Sequence, residues 1–511
     1  MVYLTDESLE FARQHILSYY DSDFFPKADE FIAIWHSWEH IKASLLEIPL
    51  GEYKPKAPRT AVSYKPKGGF RVVQQLDPLD TLVYVALAHL IAEKIESVRI
   101  PVEDSVDCAY RISLHEGSFF SKGGGYKTFI EQTEKLSKKH NYLLSTDITD
   151  CYSQLYLHKL IHTITLADSS LESIASYLHG FLTELNNDTS QGVPVGPAPS
   201  IIMAEAILSD IDLFLKNKGI EHTRYVDDFR IFSDSKKELL NTLESLTIYL
   251  FDNHKLTLSS EKTAIGKSTE FVVRTLNSYY ELQKSKMLDS LDELEPYSIQ
   301  AGEIAIHVED ETEVAADDEE QLLSLAQTIT RRKILDLGMA RALLRKARTF
   351  RTKILVPILF EKFDFFAPAI NDVCLYLNSV TDADLISESE GLLIGLLEEE
   401  CINRGVVKYW FEWYIANNIE ALQVKKLKLY LMENGSITSQ SLAAITCQDI
   451  AWVREMKTKY NTMGDWDKRA ILRSVDILPA SEAEQWKSLV NKESPILERI
   501  TLDWVLADDL Y

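Results

Sequence analysis

Apolar and polar positions alternate or recur along this chain in ways that predict an α+β protein with strands confined to its first half. Residues 1–50 carry Leu9, Ile16, Phe31, Ile34 and Trp38 at mixed three- and four-residue spacings, which predicts helix ending near Pro49 and Gly51. Val62–Tyr64 and Phe70–Val73 read as short strands around a Gly68-Gly69 turn. Leu76–Glu96 is an amphipathic helix behind the Asp77-Pro78 turn, and Phe129–His140 is the helix before the apolar run Leu143–Thr146. That run predicts a buried strand ending at Asp147. His158–Leu185, Ser200–Leu208 and Lys236–Asn253 have helical periodicity. Between the last two, Tyr225, Val226, Phe229, Ile231 and Phe232 flank Asp227-Asp228, which predicts a hairpin with the two acids at its tip. From Gln321 to Tyr511 the pattern is almost wholly helical, with six of the eight tryptophans and few Gly or Pro, as stacked helical hairpins would give. Ile354–Ile370 is the most apolar stretch, but Glu361, Lys362 and Asp364 interrupt it, so it predicts buried helix and no membrane span.

Composition narrows this picture. With 511 residues and 46% hydrophobic content, more than one cored domain is expected. The formal net charge of −24 excludes a generally adhesive nucleic-acid binder, so any polynucleotide must follow a local basic path. Two such paths exist. Lys54–Arg71 holds Lys54, Lys56, Arg59, Lys65, Lys67 and Arg71 without an acid, and is either a solvated basic loop or a phosphate-binding hairpin tip. Arg331–Lys353 is the other, either lining a nucleic-acid exit or pairing with the acidic run Glu303–Glu320, which reads as a linker. Five cysteines without a Cys-x-x-Cys spacing indicate neither zinc nor a disulfide framework and suit a reducing cytoplasm. Asp6, Glu7 and Glu10 argue against a signal peptide.

The chemistry concentrates in three stretches. Asp227 and Asp228 are adjacent acids among apolar neighbours, and two like charges ~4 Å apart repel by ~4 kcal/mol at an effective dielectric of about 20. Keeping both ionised calls for a counter-charge, for which a divalent cation is the usual solution. Asp-Asp is also a common turn dipeptide, and Asp317-Asp318 and Asp508-Asp509 occur elsewhere in this chain. Asp147, at the end of its strand, is placed to meet the same cation, whereas Asp150 belongs to the following turn. Gln191-Gly192-Val193-Pro194-Val195-Gly196-Pro197 permits close backbone approach before a helix, a surface that can lie against a nucleotide.

Asp-Ile-x-x-x-Tyr, Gln-Gly-x-x-x-Gly and Tyr-Val-Asp-Asp, in this order and spacing, resemble palm motifs A, B and C of reverse transcriptases. The resemblance implies a right-hand polymerase fingers and palm over 54–275, after an N-terminal helical region (1–53) and before a connector with acidic linker (276–320) and an all-α helical-repeat domain (321–511). It implies that Asp147, Asp227 and Asp228 hold two Mg²⁺ ions, with Mn²⁺ as substitute, and catalyse nucleotidyl transfer from dNTPs. Lys65 and Arg71, with Lys67 the runner-up, would contact the triphosphate, and Gln191 and Gly192 would lie against the nucleotide. Tyr152 matches the steric gate that selects dNTPs. Lys262, within Leu256–Gly266, matches the lysine of motif D, near the leaving pyrophosphate, although the same residue reads equally as a surface lysine. Leu76–Asp80 resembles the Leu-Asp-Pro-x-Asp segment of bacterial enzymes, and Ser105–Ser113 the second fingers block. No primer grip, thumb or RNase H is identified.

Fingers and palm continued into a long helical domain resemble the abortive-infection (Abi) group of bacterial antiphage reverse transcriptases, of the prophage-borne type. That resemblance implies untemplated, protein-primed DNA synthesis by a cytoplasmic homo-oligomer, with a single-stranded DNA product attached to a side-chain hydroxyl among 23 tyrosines and other candidates, and no membrane. A template-dependent enzyme of the retron or group II intron kind and a non-catalytic helical interaction protein are the alternatives.

Overall fold

The computed structural model describes residues 2–19, 22, 24–122, 125–276, 316–490 and 493–507. The acidic run Glu303–Glu320 therefore lies outside the described residues as far as residue 315, and its last residues enter helix Ala316–Thr330. The chain forms two compact units, each assembled from separated segments: residues 1–23, 45–60 and 73–307, and residues 24–44, 61–72 and 308–511.

The first unit holds all the strands except residues 61–72, which make up most of one hairpin and belong to the second unit. Helix α1 (Asp6–Tyr19) packs on α4 (Pro78–Val98); between them in sequence lie α2 (Glu30–His36), α3 (Trp38–Glu47), β1 (Arg59–Tyr64) and β2 (Phe70–Gln75). Asp77 caps α4 by accepting from Leu79 N, with Pro78 in the first turn, which explains its sharp start. Almost every turn of α4 is buried, so the amphipathic pattern expected there resolves as a core helix, with Leu82, Leu87, Ile91 and Ile95 fully enclosed. A hairpin of β3 (Ile112–His115) and β4 (Ser118–Phe120) leads to α5 (Tyr126–Lys139) and β5 (Tyr142–Asp147). After α6 (Cys151–Gln154), α7 (Leu157–Ala167) and α8 (Glu172–Leu185), the long buried helix α9 (Pro199–Asn217) packs on α4. Strands β6 (Glu221–Tyr225) and β7 (Asp228–Ser233), helix α10 (Lys236–His254) and β8 (Ala264–Lys267) complete a four-stranded antiparallel sheet in the order β6-β7-β5-β8. The register sets Asp147 opposite Asp228, and Tyr225 opposite Asp228 across a two-residue turn.

Among the described residues the second unit is helical apart from residues 61–72 of the β1–β2 hairpin. Its core includes Trp452, Val453, Trp486 and Leu502, so the tryptophan-rich stripe is packing. Trp410 donates to the Phe24 carbonyl at 2.9 Å, and Arg469 pairs with Glu30 at 2.7 Å, which ties residues 24–44 to this unit. Gly405, at φ +49°, lies so close to the hairpin that a Cβ would fall 1.9 Å from the Val62 carbonyl oxygen. Ile354–Ile370 is broken into Val356–Glu361, Phe363–Phe366 and the turn Ala367–Ala369. Among the described residues no helix is long and apolar enough to cross a membrane. In the basic stretch, Arg341 and Arg345 approach buried Asp372 at 3.5 and 3.4 Å, and Lys353 pairs with Asp382.

Candidate active site

Three carboxylates converge at one end of the four-stranded sheet. Asp147 ends β5, Asp227 occupies the β6–β7 turn and Asp228 opens β7, and each offers an oxygen within 4.8 Å of the others. Strand pairing does this work: with Asp147 opposite Asp228, the turn residue Asp227 is held beside both, and its carbonyl accepts from Ile148 N at 3.2 Å.

The turn itself is strained. Two-residue hairpin loops favour positive φ at their first position, where Gly or Asn is usual. This chain puts Val226 there at φ +55°. A β-branched residue in the left-handed region costs about 1–3 kcal/mol and persists only where its surroundings over-determine it. Here they do. Arg224 Nη1 donates to the Val226 carbonyl at 2.9 Å, and Tyr225 is wedged against Phe129 and Tyr126 at ring separations of 5.7 and 5.3 Å.

Electrostatics at the three acids favour a cation. Asp147 is buried, and its Oδ1 has no hydrogen-bond partner. Asp228 is exposed as a residue, yet lost hydration around its carboxyl, then the charges of Asp227 and Asp147, push it up to about 7, with Lys262 opposing. Lys262 Nζ lies 2.8 Å from Asp147 Oδ2. Partial burial works against its charge, but Asp147, Asp228 and Asp227 hold its pKa above the ordinary lysine value. The turn bearing Lys262 is tied to the end of β5, because Ser259 N donates to the Asp147 carbonyl at 2.8 Å and Lys262 N to the Ser259 carbonyl at 3.3 Å. One ammonium against three carboxylates leaves an excess of negative charge. Oxygen-only donors and an orphaned buried carboxylate oxygen fit a hard divalent ion such as Mg²⁺ or Mn²⁺.

The other expected site residues fall into two groups. Tyr152 on α6 lies among Tyr110, Glu205, Cys151 and Asp227, and burial first, then these neighbours, keep its phenol protonated. Its carbonyl accepts from Val193 N at 2.9 Å, Gly192 N donates to the Leu155 carbonyl at 2.7 Å, and the Gln191 side chain donates to Gln154 Oε1 at 2.7 Å. Gln191 and Gly192 thus join Tyr152 and the acids within the first unit. Lys65 and Arg71 lie at the tip of the β1–β2 hairpin, which clusters with the second unit; Arg71 is exposed and Lys65 half-buried.

A buried ion network behind the turn escaped sequence reasoning. Arg224 is fully buried and meets Asp212, Glu205 and Asp107 at 2.6, 3.0 and 3.0 Å. Arg99 adds Asp107 and Glu205 at 2.7 and 3.1 Å, and Arg111 reaches Glu96 at 2.5 Å. Burial works against the Arg224 charge, but its carboxylate partners raise its pKa well above normal. Three guanidinium groups face Glu96, Asp107, Glu205 and Asp212. Burial pushes Glu205 up to about 7, against the pull of Arg224 and Arg99. The visible signal was an acid at Glu205 and Asp212 inside an otherwise apolar helix pattern.

Comparison with known families falls on this same segment. Residues 65–276 match the family of reverse transcriptases, the RNA-dependent DNA polymerases. This reverse transcriptase domain contains the three acids, Lys65, Arg71, Tyr152, Gln191, Gly192 and Lys262. No curated protein matches the chain in sequence. Among solved structures, telomerase from Candida albicans in complex with the TWJ fragment of telomeric RNA aligns over 76% of this chain and 70% of its own, at 13% identity and TM-score 0.31. Apo telomerase from Candida tropicalis aligns over 87% and 73%, at 12% identity and TM-score 0.32. The Candida tropicalis enzyme with the TWJ fragment aligns over 80% and 70%, at 12% identity and TM-score 0.34. Such scores describe distant likeness, and the domain assignment stands on residues 65–276.

Proposed function

We infer that this protein is a metal-dependent nucleotidyltransferase that polymerises dNTPs into DNA. The convergence of Asp147, Asp227 and Asp228 inside the segment that matches reverse transcriptases carries this reading. The three acids would hold two Mg²⁺ ions, which when bound lower the pKa of an attacking hydroxyl and offset charge on the triphosphate. The protein's own part is positioning. Strands β5 and β7 fix the acids in register, the Gln191-Gly192 turn backs α6, and the Tyr152 ring would fill the space a 2′-hydroxyl needs. Lys262, cationic beside Asp147, would give charge or a proton to departing pyrophosphate. Lys65 and Arg71 would contact the triphosphate.

Untemplated, protein-primed synthesis by a homo-oligomeric antiphage enzyme is the finer form of this proposal, supported by the sequence resemblance to the Abi group and by the helices, without a strand, of the described residues after 315. The test is purified full-length protein with Mg²⁺ and labelled dNTPs, without nucleic acid. Label in a polymer whose migration changes on proteolysis supports protein priming. Incorporation only on addition of an RNA template favours the retron or group II intron kind. No incorporation under either condition, or equal incorporation by well-folded Asp227→Asn, removes the polymerase reading, because losing a metal-ligating charge should abolish turnover.

A further inference from the structure

We propose that Arg224 is a positioning residue for the metal site, holding the acidic turn from its buried side. The inference rests on the polymerase reading for its biological meaning but on geometry for its content. Every direction of the guanidinium is used. Nε and Nη2 grip Asp212 at 2.9 and 2.6 Å, Nη1 and Nη2 meet Glu205 at 3.3 and 3.0 Å, and Nη2 pairs with Asp107 at 3.0 Å. Nη1 also donates to the Val226 carbonyl at 2.9 Å.

That last bond reaches the one residue of the turn whose backbone is unfavourable, at φ +55°. The next carbonyl, that of Asp227, is taken by Ile148 N at 3.2 Å. The peptide groups on both sides of Asp227 are thus pinned, one by the neighbouring strand and one by Arg224. The carboxylates of Asp107, Glu205 and Asp212 come from the 99–111 segment and from α9, so the guanidinium is immobilised by elements outside the hairpin. The turn inherits that rigidity. A lysine would keep the charge but presents its donors from a single atom, and cannot grip Asp212 in the plane while also reaching the Val226 carbonyl.

Without this bond the turn relaxes toward ordinary φ, and Asp227 leaves its place beside Asp147 and Asp228. The consequence is weaker divalent-ion binding rather than lost folding. The experiment uses full-length protein without nucleotide and reads Mn²⁺ binding by electron paramagnetic resonance, the site signal being the part lost in Asp227→Asn. Arg224→Lys, checked by circular dichroism and melting, should bind Mn²⁺ at least tenfold more weakly. Its kcat should fall while KM for dNTP stays within about threefold, and raised Mn²⁺ should recover part of the rate. A folded Arg224→Lys with wild-type Mn²⁺ affinity overturns the proposal. Should that variant not fold, Asp212→Asn loosens the same guanidinium while keeping its charge; it should lose several-fold in affinity, and wild-type affinity there overturns the proposal equally. Wild-type protein that binds Mn²⁺ at the three acids but incorporates no nucleotide would remove the polymerase reading and leave the role of Arg224 to be decided by metal affinity alone.

Discussion

Gly192→Ala should damage the reverse transcriptase domain well out of proportion to one methyl group. Gly192 has φ +88°, and a Cβ there would sit 2.8 Å from the Ser153 carbonyl oxygen and 3.3 Å from that residue's Cα and carbonyl carbon. All three atoms are backbone, so no side chain can swing away, and either the 191–193 turn or α6 must move by several tenths of an ångström. Left-handed backbone costs an L-residue roughly 1–2 kcal/mol. The displacement also stretches the bonds from Gly192 N to Leu155 O (2.7 Å) and from Val193 N to Tyr152 O (2.9 Å), each contributing about 0.5–1.5 kcal/mol. The sum is roughly 2–5 kcal/mol, and because the Tyr152 carbonyl is one of the attachments, the proposed sugar gate shifts too. Urea unfolding followed by far-ultraviolet dichroism should show the loss as an earlier first transition, and dNTP incorporation should fall at least tenfold. Gly180→Ala is the matched control: it lies within α8 with nothing inside 4 Å of its added Cβ, and should be neutral or stabilise by up to about 1 kcal/mol. A Gly192→Ala protein as stable and active as Gly180→Ala would refute the reasoning.

Tyr152→Ala should widen acceptance of ribonucleotides in competition assays while dNTP use survives, since no carboxylate is touched; unchanged selectivity would place the gate elsewhere. His15, buried with Nδ1 2.8 Å from the Gly117 carbonyl, is lowered to about 4, chiefly by burial. Its folded pKa lies below the unfolded value near 6.5, so the stability tied to its neutral form is complete above pH 6.5 and declines as pH falls toward 4. At ~1.4 kcal/mol per unit, about 3 kcal/mol is at stake; His15→Gln should flatten this part of the pH–stability curve, and an unchanged slope would rule the histidine out. A fragment ending near Gln300 should be poorly soluble and inactive, because residues 24–44 and 61–72 would lose Trp410, Arg469 and the surface at Gly405; full incorporation by a soluble fragment would contradict this.

The palm was legible because its acids sit where strands end, and both strand period and turn chemistry are local signals. Asp147 is far in sequence from the adjacent Asp227 and Asp228, yet it ends one apolar strand while they sit at the turn that opens another, and antiparallel pairing of those strands brings the three together. The support behind them was not legible. Arg99 and Arg224 resemble ordinary surface charges until the fold buries them, and the apolar neighbours of Glu205 and Asp212 hint at burial without naming a partner. The hairpin around Lys65 reads locally as a hairpin, but its association with Gly405 is invisible because the two are far apart in the chain. Likewise Val226 looks like one more apolar strand residue, and its left-handed backbone follows only from the register of β6 on β7.

Because both compact units draw on separated segments, biosynthesis imposes a delay on one of them. Glu30 and its partner Arg469 are 439 residues apart. At about 5–20 residues per second the ribosome needs roughly 20–90 s between them. During that interval Phe31, Ile34 and Trp38, all buried in the finished protein, emerge without the C-terminal helices that belong to their unit. Nascent chains stalled before Arg469 should therefore recruit chaperones through residues 24–44, and be cleaved there by added protease, while the segment around Asp147 is already protected.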